Sequence, residues 1–212
     1  MPVKGTAEFY DKTAADWARR GYGNDDIPCL ADFARRFAPG SRFLDLCCGC
    51  GYDAHRLHAL GYDVAGVDFS GESLRIARAK NPGLIFYQDD ILNDYSYVGR
   101  VDAVIVIAGL VHIEAEKLPL AFSRMRAVLK DGGGLFVTVR EGLGRMEEKS
   151  VAVIDGETYD RNFIGHTLDE LREAAKGLFS YEREVGDDGT GWHNYIFKCE
   201  RIKGTADEKN AP

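Results

Sequence analysis

Three cysteines lie close together in the segment FLDLCCGCGYDA, residues 43–54. Clustered thiolates can bind zinc or iron, but tetrahedral metal sites are typically built from C-x2-C pairs, with a second pair elsewhere in the chain. Cys47, Cys48 and Cys50 instead have C-C-x-C spacing, and the other two of the five cysteines are distant from them in sequence. We therefore predict that these thiols bind no metal.

The same segment contains two glycines directly after SRFLDLC, a short apolar stretch with the composition of a strand. Gly49 and Gly51 permit a sharp turn and let the backbone approach a ligand closely, while the cysteines occupy positions that require small residues. GCGYDA also satisfies the dinucleotide-binding pattern G-x-G-x-x-A. That pattern is a weak signal by itself, so the neighbouring residues must decide what the turn does.

Acidic residues accompany the ends of three successive apolar stretches. Asp45 lies inside the first predicted strand, just before the glycine turn, while Asp68 closes the second strand and Asp89 the third. Each could separately be a helix cap or a solvated loop residue. Together they fall on the ligand-binding edge of one parallel sheet, where a carboxylate after the second strand can reach ribose hydroxyls. We therefore predict a nucleotide-like ligand at this edge.

Strands and helices alternate through most of the chain. The segments SRFLDLC, YDVAGVD, LIFYQDD, DAVIVIA and GLFVTVRE are separated by helical patterns, which is typical of a parallel sheet covered on both faces. FSYEREV and GWHNYIFKCE share a short polar link and are expected to form an antiparallel hairpin. The predicted fold class is α/β, with a doubly wound, mostly parallel, seven-stranded sheet that ends in an antiparallel C-terminal hairpin.

Composition restricts the class of partner. The formal net charge of −7 argues against a nucleic-acid binder, which normally carries a basic face. The N-terminal stretch MPVKGTAEFYDK has no apolar core of the kind that secretion signals contain, and the longest apolar run, residues 103–111, is too short to cross a bilayer. We expect a cytoplasmic protein with reduced thiols and without a membrane or nucleic-acid partner.

Four segments together resemble the motifs of a known family. LDLCCGCGYDA, GVDFSGESLRIARAK, YQDDI and VDAVIVIAGLVHI are similar to successive motifs of the class I S-adenosylmethionine-dependent methyltransferases, small-molecule type. The resemblance extends from about residue 9 to residue 199 and implies a Rossmann-like methyltransferase fold with S-adenosyl-L-methionine as cofactor. The family usually has D-L-G-C-G-x-G, so Cys47 replaces a glycine and Cys50 replaces a small polar residue.

The resemblance also implies which residues bind the cofactor. Asp68 would accept hydrogen bonds from both ribose hydroxyls, and Phe69 would pack against the adenine. Asp89 would contact the adenine edge. Tyr10 and Trp17 would cover the cofactor from an N-terminal lid helix. The alternative for that helix is amphipathic packing on the sheet. The cofactor residues expected from the resemblance are Tyr10, Trp17, Asp45, Cys47, Cys48, Gly49, Gly51, Asp68, Phe69, Asp89, Asp90, Ile91, Val106 and Ile107.

The methyl acceptor would lie beyond the fourth and fifth strands, because the cofactor occupies the ends of the first three. His112 follows the fourth strand and is the candidate general base, although a buried histidine that fixes the loop is an equal alternative. Arg140 and Glu141 are predicted to bind the acceptor, or else to form a solvated pair. Residues 141–166 are unusually long for a connection, and VAVIDGETYD in them is expected to form a hairpin that helps to cover the site.

These expectations define one methyltransferase domain over residues 1–202. It would comprise N-terminal lid helices in residues 1–38 and a substrate-covering insertion in residues 141–166, followed by a flexible tail, 203–212. The predicted function is in-line methyl transfer to a small molecule. The alternatives are a methyltransferase with a macromolecular acceptor and a non-catalytic module that binds S-adenosylmethionine. A nicotinamide-dependent oxidoreductase is disfavoured, since it would not require Asp89 or the closing hairpin.

Overall fold

The computed structural model describes residues 3–23, 28–186 and 189–201. The predicted tail, 203–212, lies outside the described residues. The strands are β1 Arg42–Leu46, β2 Asp63–Asp68, β3 Ile85–Gln88, β4 Val101–Ile107, β5 Leu129–Arg140, β6 Gly144–Arg145, β7 Val151–Ile154, β8 Glu157–Asp160, β9 Ile164–Gly165, β10 Phe179–Val185 and β11 Trp192–Cys199. The helices are α1 Thr6–Tyr22, α2 Pro28–Ala34, α3 Tyr52–Ala59, α4 Gly71–Lys80, α5 Leu118–Val128, α6 Glu147–Ser150 and α7 Leu168–Ala174.

Seven of the strands form one sheet in the order β10-β11-β5-β4-β1-β2-β3. Strands β1 to β5 pair in parallel, whereas β11 is antiparallel both to β5 and to β10. The predicted α/β class, the seven strands and the antiparallel C-terminal hairpin are confirmed. Because β1, β2 and β4 share one direction and are sheet neighbours, their carboxyl ends open onto the same edge.

Helices cover both faces of this sheet. On one face, buried side chains of α2, α3 and α4, among them Phe33, Leu57 and Leu74, pack against the strands. On the other face, α5 and α7 contribute buried residues such as Phe122 and Leu171. Burial on both faces explains why the central strands read as continuous apolar runs.

Local signals in the sequence set several of these boundaries. The Ser70 side chain accepts a hydrogen bond from the backbone N–H of Ser73 and thereby caps α4. Thr167 and Glu170 form the predicted capping box at the start of α7. The hairpin of β7 and β8 turns at Asp155 and Gly156, whose φ values are 52° and 79°. Two consecutive positive φ angles are typical of the tight turns that match strand twist.

Helix α1 is braced by this β7–β8 hairpin. Lys4 Nζ lies 2.7 Å from Glu157 Oε1, and Lys12 Nζ lies 2.7 Å from Asp155 Oδ2. The Phe9 ring also contacts the Tyr159 ring edge-on, with 6.2 Å between centroids. The N-terminal helix and the insertion after β5 are therefore packed together on the sheet edge. Within the described ranges, no helix combines the length and apolarity that crossing a membrane would require.

Candidate active site

A cavity of about 160 Å³ lies at the carboxyl ends of β1, β2 and β4. Eight residues that the sequence assigned to the cofactor or the acceptor line it: Tyr10, Trp17, Cys47, Gly49, Asp68, Phe69, Ile107 and His112. Its walls are predominantly aromatic and apolar, as in most small-molecule sites.

The turn after β1 has the tight geometry that its glycines indicated. Gly49 and Gly51 have φ values of 52° and 77°, and the Gly51 N–H donates to the Cys48 carbonyl at 2.9 Å. A Cβ atom added to Gly49 would meet open space, whereas one added to Gly51 would come within 3.0 Å of Ala77 and Phe86. Gly49 therefore keeps the cavity wall open, and Gly51 allows close packing behind it.

Cys47 adopts a backbone conformation that suits glycine. Its φ is 62°, in the left-handed region, which costs a non-glycine residue on the order of 1 kcal/mol. The Cys47 side chain is accommodated by the loop after β4, because a Cβ on Gly109 would lie 2.7 Å from both the Cβ and the Sγ of Cys47. Burial raises the pKa of the Cys47 thiol well above its usual value, so the thiol stays neutral.

Asp68 joins the glycine turn to the second strand. Its Oδ2 accepts a hydrogen bond from the Gly49 N–H at 2.8 Å, and its Oδ1 accepts one from the Ser70 N–H at 2.8 Å. Only 7% of the residue is exposed. Burial raises the pKa of Asp68, and the two backbone donors oppose this rise. Each oxygen retains a second lone pair for a ligand hydroxyl.

Asp45, which the resemblance assigned to the cofactor, does not line the cavity. Its carboxylate lies behind the turn, where Oδ2 accepts a hydrogen bond from the Ala54 N–H at 3.0 Å in the first turn of α3. Burial and the neighbouring charge of Asp53 raise the pKa of Asp45 well above its ordinary value. The side chain therefore holds the start of α3 against β1, because helical N–H groups there need acceptors.

Asp89 and its neighbours likewise lie outside the cavity lining. Asp89 Oδ2 accepts a hydrogen bond from the Tyr97 hydroxyl at 2.8 Å, and its Oδ1 accepts others from Asn93 and from the Asp90 N–H, so both oxygens bond to neighbouring residues of the chain. Ile91 is buried in the core. Four further predicted cofactor residues are also absent from the lining: Cys48, Gly51, Asp90 and Val106.

His112 lies in a hydrogen-bonded chain that crosses the cavity wall. Its Nδ1 is 2.8 Å from the Arg161 carbonyl oxygen, and its Nε2 is 2.8 Å from the Tyr10 hydroxyl. Burial lowers the pKa of His112 from 6.5 to about 4, so the ring is neutral near pH 7. Because a carbonyl can only accept, Nδ1 carries the proton, and Nε2 accepts the hydrogen bond that Tyr10 donates.

Helix α1 brings Tyr10 and Trp17 to the cavity. The two rings lie 6.2 Å apart between centroids, and the Tyr10 ring also contacts Phe69 edge-on. The helix is fixed at the start of α4, where Asp11 Oδ1 accepts hydrogen bonds from the Ser70 hydroxyl at 2.6 Å and from the Glu72 N–H at 3.0 Å. The second helix of the predicted lid, α2, packs instead on a face of the sheet.

The structure does not bring Arg140 and Glu141 to the cavity, contrary to their expected position beside His112. The end of β5 is covered by the start of β11: the Glu141 N–H donates to the Gly191 carbonyl, and Glu141 Oε2 lies 3.0 Å from His193 Nε2. The end of β5 is therefore paired with the start of β11, from which Trp192 and not Arg140 lines the cavity.

Several lining residues were not identified from the sequence. They are Cys50, Tyr52, Ser73, Ala108, Gly109, Val111, Arg161, Phe163 and Trp192. Arg161 and Phe163 fall in the insertion predicted to cover the site, and Trp192 begins β11. The other six lie within the quoted motifs, next to residues that were assigned, whereas Arg161, Phe163 and Trp192 belong to no motif. Only the general expectation for the insertion pointed toward Arg161 and Phe163, and no signal pointed to Trp192.

Part of the chain is similar in sequence to known methyltransferases. The methyltransferase domain family matches residues 43–133. A dTDP-3-amino-3,6-dideoxy-alpha-D-glucopyranose N,N-dimethyltransferase from Streptomyces fradiae is 32% identical over 133 residues, which cover 59% of this chain and 50% of that protein. The chain thus spans half the length of this relative.

Solved structures show the same fold at low sequence identity. An S-adenosylmethionine-dependent methyltransferase from Clostridium acetobutylicum is 19% identical, with a TM-score of 0.69 over 91% of this chain and 100% of the other. Magnesium protoporphyrin IX methyltransferase from Synechocystis, with bound S-adenosylmethionine, is 17% identical, with a TM-score of 0.64 over 92% and 95% of the two chains. The chain is thus similar to methyltransferases by the family match over residues 43–133, and it shares its fold with S-adenosylmethionine-dependent methyltransferases over most of its length.

Proposed function

We propose that this protein transfers a methyl group from S-adenosylmethionine to a small molecule. The observation that carries the proposal is the joint presence, in one cavity, of the glycine turn after β1, the Asp68 carboxylate and the neutral His112. A family that uses S-adenosylmethionine supplies the context for these residues. The cavity is bounded by α1 and the insertion after β5, which favours an acceptor of small size.

The residues around the turn fit this cofactor. The open space beside Gly49 leaves room for a ligand against the backbone, and the buried Asp68 carboxylate has lone pairs to accept ribose hydroxyls. Phe69 offers an apolar surface for the adenine. When bound, the cofactor supplies a methyl group on an electrophilic sulfonium, so the protein's main tasks are alignment and exclusion of water. Cys47 and Ile107 line the same space.

Tyr10 and His112 form the proposed proton path. The neutral His112 has a free electron pair on Nε2 and already accepts a hydrogen bond from the Tyr10 hydroxyl. As the acceptor's nucleophilic atom is methylated, its proton moves to the Tyr10 oxygen while the Tyr10 proton moves to His112 Nε2. The Arg161 carbonyl holds His112 in the required tautomer. Tyr10 also covers the cavity, so one side chain both shields the site and relays the proton.

The domain organisation that accompanies this function is a single domain. Helix α1 and residues 141–166 form a common cover, since Lys12 of α1 pairs with Asp155 and Lys4, just before the helix, pairs with Glu157. Helix α2 belongs to the supporting layer rather than to the cover.

Labelled cofactor tests this function directly. The protein is incubated with methyl-labelled S-adenosylmethionine and a metabolite extract, and the products are separated by size. We expect label in a small molecule with the wild-type protein and none with Asp68→Ala. Label confined to protein or nucleic acid would contradict the small-molecule acceptor. If the protein binds the cofactor but transfers no methyl group to any molecule in several extracts, a non-catalytic module is favoured.

A further inference from the structure

Arg161 is a cation in the cavity wall without an acidic partner. Among residues 3–23, 28–186 and 189–201, no Asp or Glu oxygen lies within 4.0 Å of its guanidinium nitrogens. Other shielded arginines differ: Arg56 Nη1 lies 2.6 Å from Asp53 Oδ1, and Arg126 Nη2 lies 2.6 Å from Asp131 Oδ1. Arg161 itself is half-buried. A charged side chain that is withdrawn from water is normally paired with an opposite charge, so the missing counter-ion of Arg161 calls for an explanation.

The guanidinium is held in place by groups that carry no negative charge. Arg161 Nε donates a hydrogen bond to the Lys149 carbonyl at 2.6 Å. Its Cζ lies 5.0 Å from the Phe9 ring centroid and 5.1 Å from the Phe163 centroid. Stacking and one backbone acceptor thus fix the plane of the group. The terminal nitrogens retain N–H donors suited to a two-oxygen anion.

The charge of Arg161 faces the proposed proton path. Burial raises the pKa of Tyr10 to about 12, and the nearby Arg161 charge opposes this rise. The carboxylate of Asp68, which also lines the cavity, already accepts two backbone hydrogen bonds. The Arg161 side chain also hydrogen-bonds the Tyr10 hydroxyl. Because no carboxylate of the described residues forms an ion pair with Arg161, its positive charge remains available to an anionic ligand.

Aromatic rings adjoin the guanidinium. Phe163 and Trp192 contact each other edge-on with 6.0 Å between centroids, and Phe163 lies 5.9 Å from the His112 ring. Phe163 comes from the insertion and Trp192 from β11. In the sheet, β11 and the glycine turn after β1 lie on opposite sides of β4. An acceptor here would meet an apolar wall with a cation at its edge.

We propose that Arg161 binds an oxyanion of the methyl acceptor, a carboxylate or a phosphate, while the acceptor's apolar body packs against Phe163 and Trp192. The inference rests on the proposed function for the role of the ligand as acceptor. It assigns the substrate class as small organic anions. The competing assignment is that Arg161 binds the carboxylate of the cofactor's own methionine part.

Two binding series test this inference. The first measures S-adenosylhomocysteine affinity by calorimetry for the wild type, Arg161→Met and the control Arg35→Met; Arg35 is an exposed arginine outside the cavity, paired with Asp32. The second series measures how tightly the same three proteins bind benzoate, phenyl phosphate, benzyl alcohol and benzylamine. Affinities are determined by nuclear magnetic resonance titration, with and without saturating S-adenosylhomocysteine.

We expect benzoate or phenyl phosphate to bind the wild type more tightly than benzyl alcohol, and benzylamine to bind most weakly. Arg161→Met should lower the affinity for the anions about tenfold or more, because charge-assisted hydrogen bonds are lost. Its affinity for benzyl alcohol should be unchanged. Which anion binds better separates a carboxylate site from a phosphate site. Arg35→Met should match the wild type throughout.

Other results would overturn the inference. Equal binding of anions and benzyl alcohol to the wild type would do so, as would equal anion binding by Arg161→Met. A tenfold loss of S-adenosylhomocysteine affinity in Arg161→Met would assign the residue to the cofactor instead. If the wild type binds no S-adenosylhomocysteine, the proposed function fails. The titrations performed without S-adenosylhomocysteine still decide whether Arg161 binds an oxyanion. Should Arg161→Met not fold, Arg161→Lys is used. We then expect a several-fold lower affinity for the anions and an unchanged affinity for benzyl alcohol.

Discussion

The two ends of the cavity lie on one sheet edge but are built in different ways. At the end proposed to bind the cofactor (the cofactor end), backbone positions after β1 and the last residue of β2 define the wall, and Asp68 joins them through the Gly49 and Ser70 N–H groups. At the end proposed to bind the methyl acceptor (the acceptor end), the wall consists of side chains from α1, the loop after β4, the insertion after β5 and the start of β11. A site made of contiguous backbone is encoded locally, whereas a site made of side chains from separate segments depends on how those segments pack.

The largest expected effect comes from removing the carboxylate at the cofactor end. Asp68→Ala should weaken S-adenosylhomocysteine binding about 100-fold or more, since two charge-assisted hydrogen bonds of about 1.5–3 kcal/mol each are lost. Calorimetry on the folded variant measures this. Asp63→Ala is the matched control, because Asp63 lies at the opposite end of β2 and is exposed. Unchanged affinity in Asp68→Ala would remove the cofactor assignment.

Acid should reveal the burial of His112 at the acceptor end. The folded state holds its pKa at about 4 against 6.5 in the unfolded chain, so the unfolded state binds more protons between these values and stability falls as pH decreases through this window. Between pH 7 and about pH 4.5, the wild type should lose roughly 2 kcal/mol more unfolding free energy than His112→Gln, which cannot titrate. Urea denaturation at both pH values measures the difference. Parallel losses in the two proteins would show that His112 titrates normally.

Removing one hydroxyl separates the two ends kinetically. Tyr10→Phe keeps the ring that covers the cavity but deletes the donor to His112, so kcat should fall about 10- to 100-fold. S-adenosylhomocysteine affinity should stay within about threefold, because no proposed cofactor hydrogen bond is lost. The measurement uses the acceptor found by methyl labelling, with Tyr181→Phe on the outer strand β10 as control. An unchanged kcat would assign the Tyr10–His112 bond a structural role.

The two ends touch at Cys47 and Gly109, and their coupling is measurable. Gly109→Ala should cost about 1–3 kcal/mol of unfolding free energy, because the new Cβ would lie 2.7 Å from the Cys47 Cβ and Sγ. In a Cys47→Gly background this cost should drop by about 1 kcal/mol, as expected for residues in direct contact. Gly83→Ala, whose Cβ would meet open space, is the control. Strict additivity of the two substitutions would refute the contact.

The smallest effect is expected from the two other cysteines of the turn. Cys50 Sγ donates to the Ala14 carbonyl, which a serine hydroxyl can also do, and Cys48 is a buried small residue. The double variant Cys48→Ala, Cys50→Ser should therefore bind S-adenosylhomocysteine within about twofold of the wild type, since size and backbone shape decide the site. Elemental analysis completes the test: stoichiometric zinc or iron in the wild type, lost in the variant, would mean that the thiols form a metal site.

The backbone geometry of the proposed cofactor end could be predicted in outline because its signals are local. Gly49 and Asp68 stand at a strand end that hydrophobic periodicity locates, and parallel strands place such ends together. Asp45 shows the limit of this reasoning: its position next to the turn is correct, but the side chain serves the first turn of α3. Sequence position identifies the strand end but not the direction in which a carboxylate finds its donors.

At the acceptor end, sequence alone determined the elements: the strand before His112, the β7–β8 hairpin, and an insertion long enough to cover a site. Only the tertiary structure decided that Arg161 lines the cavity and that Arg140 does not. The physical reason is that β11 covers the end of β5, while the hairpin and α1 pack together and carry the residues after β8 to the cavity. Such contacts join positions more than a hundred residues apart, as in the Tyr10–His112 hydrogen bond, and no local pattern of residues encodes them.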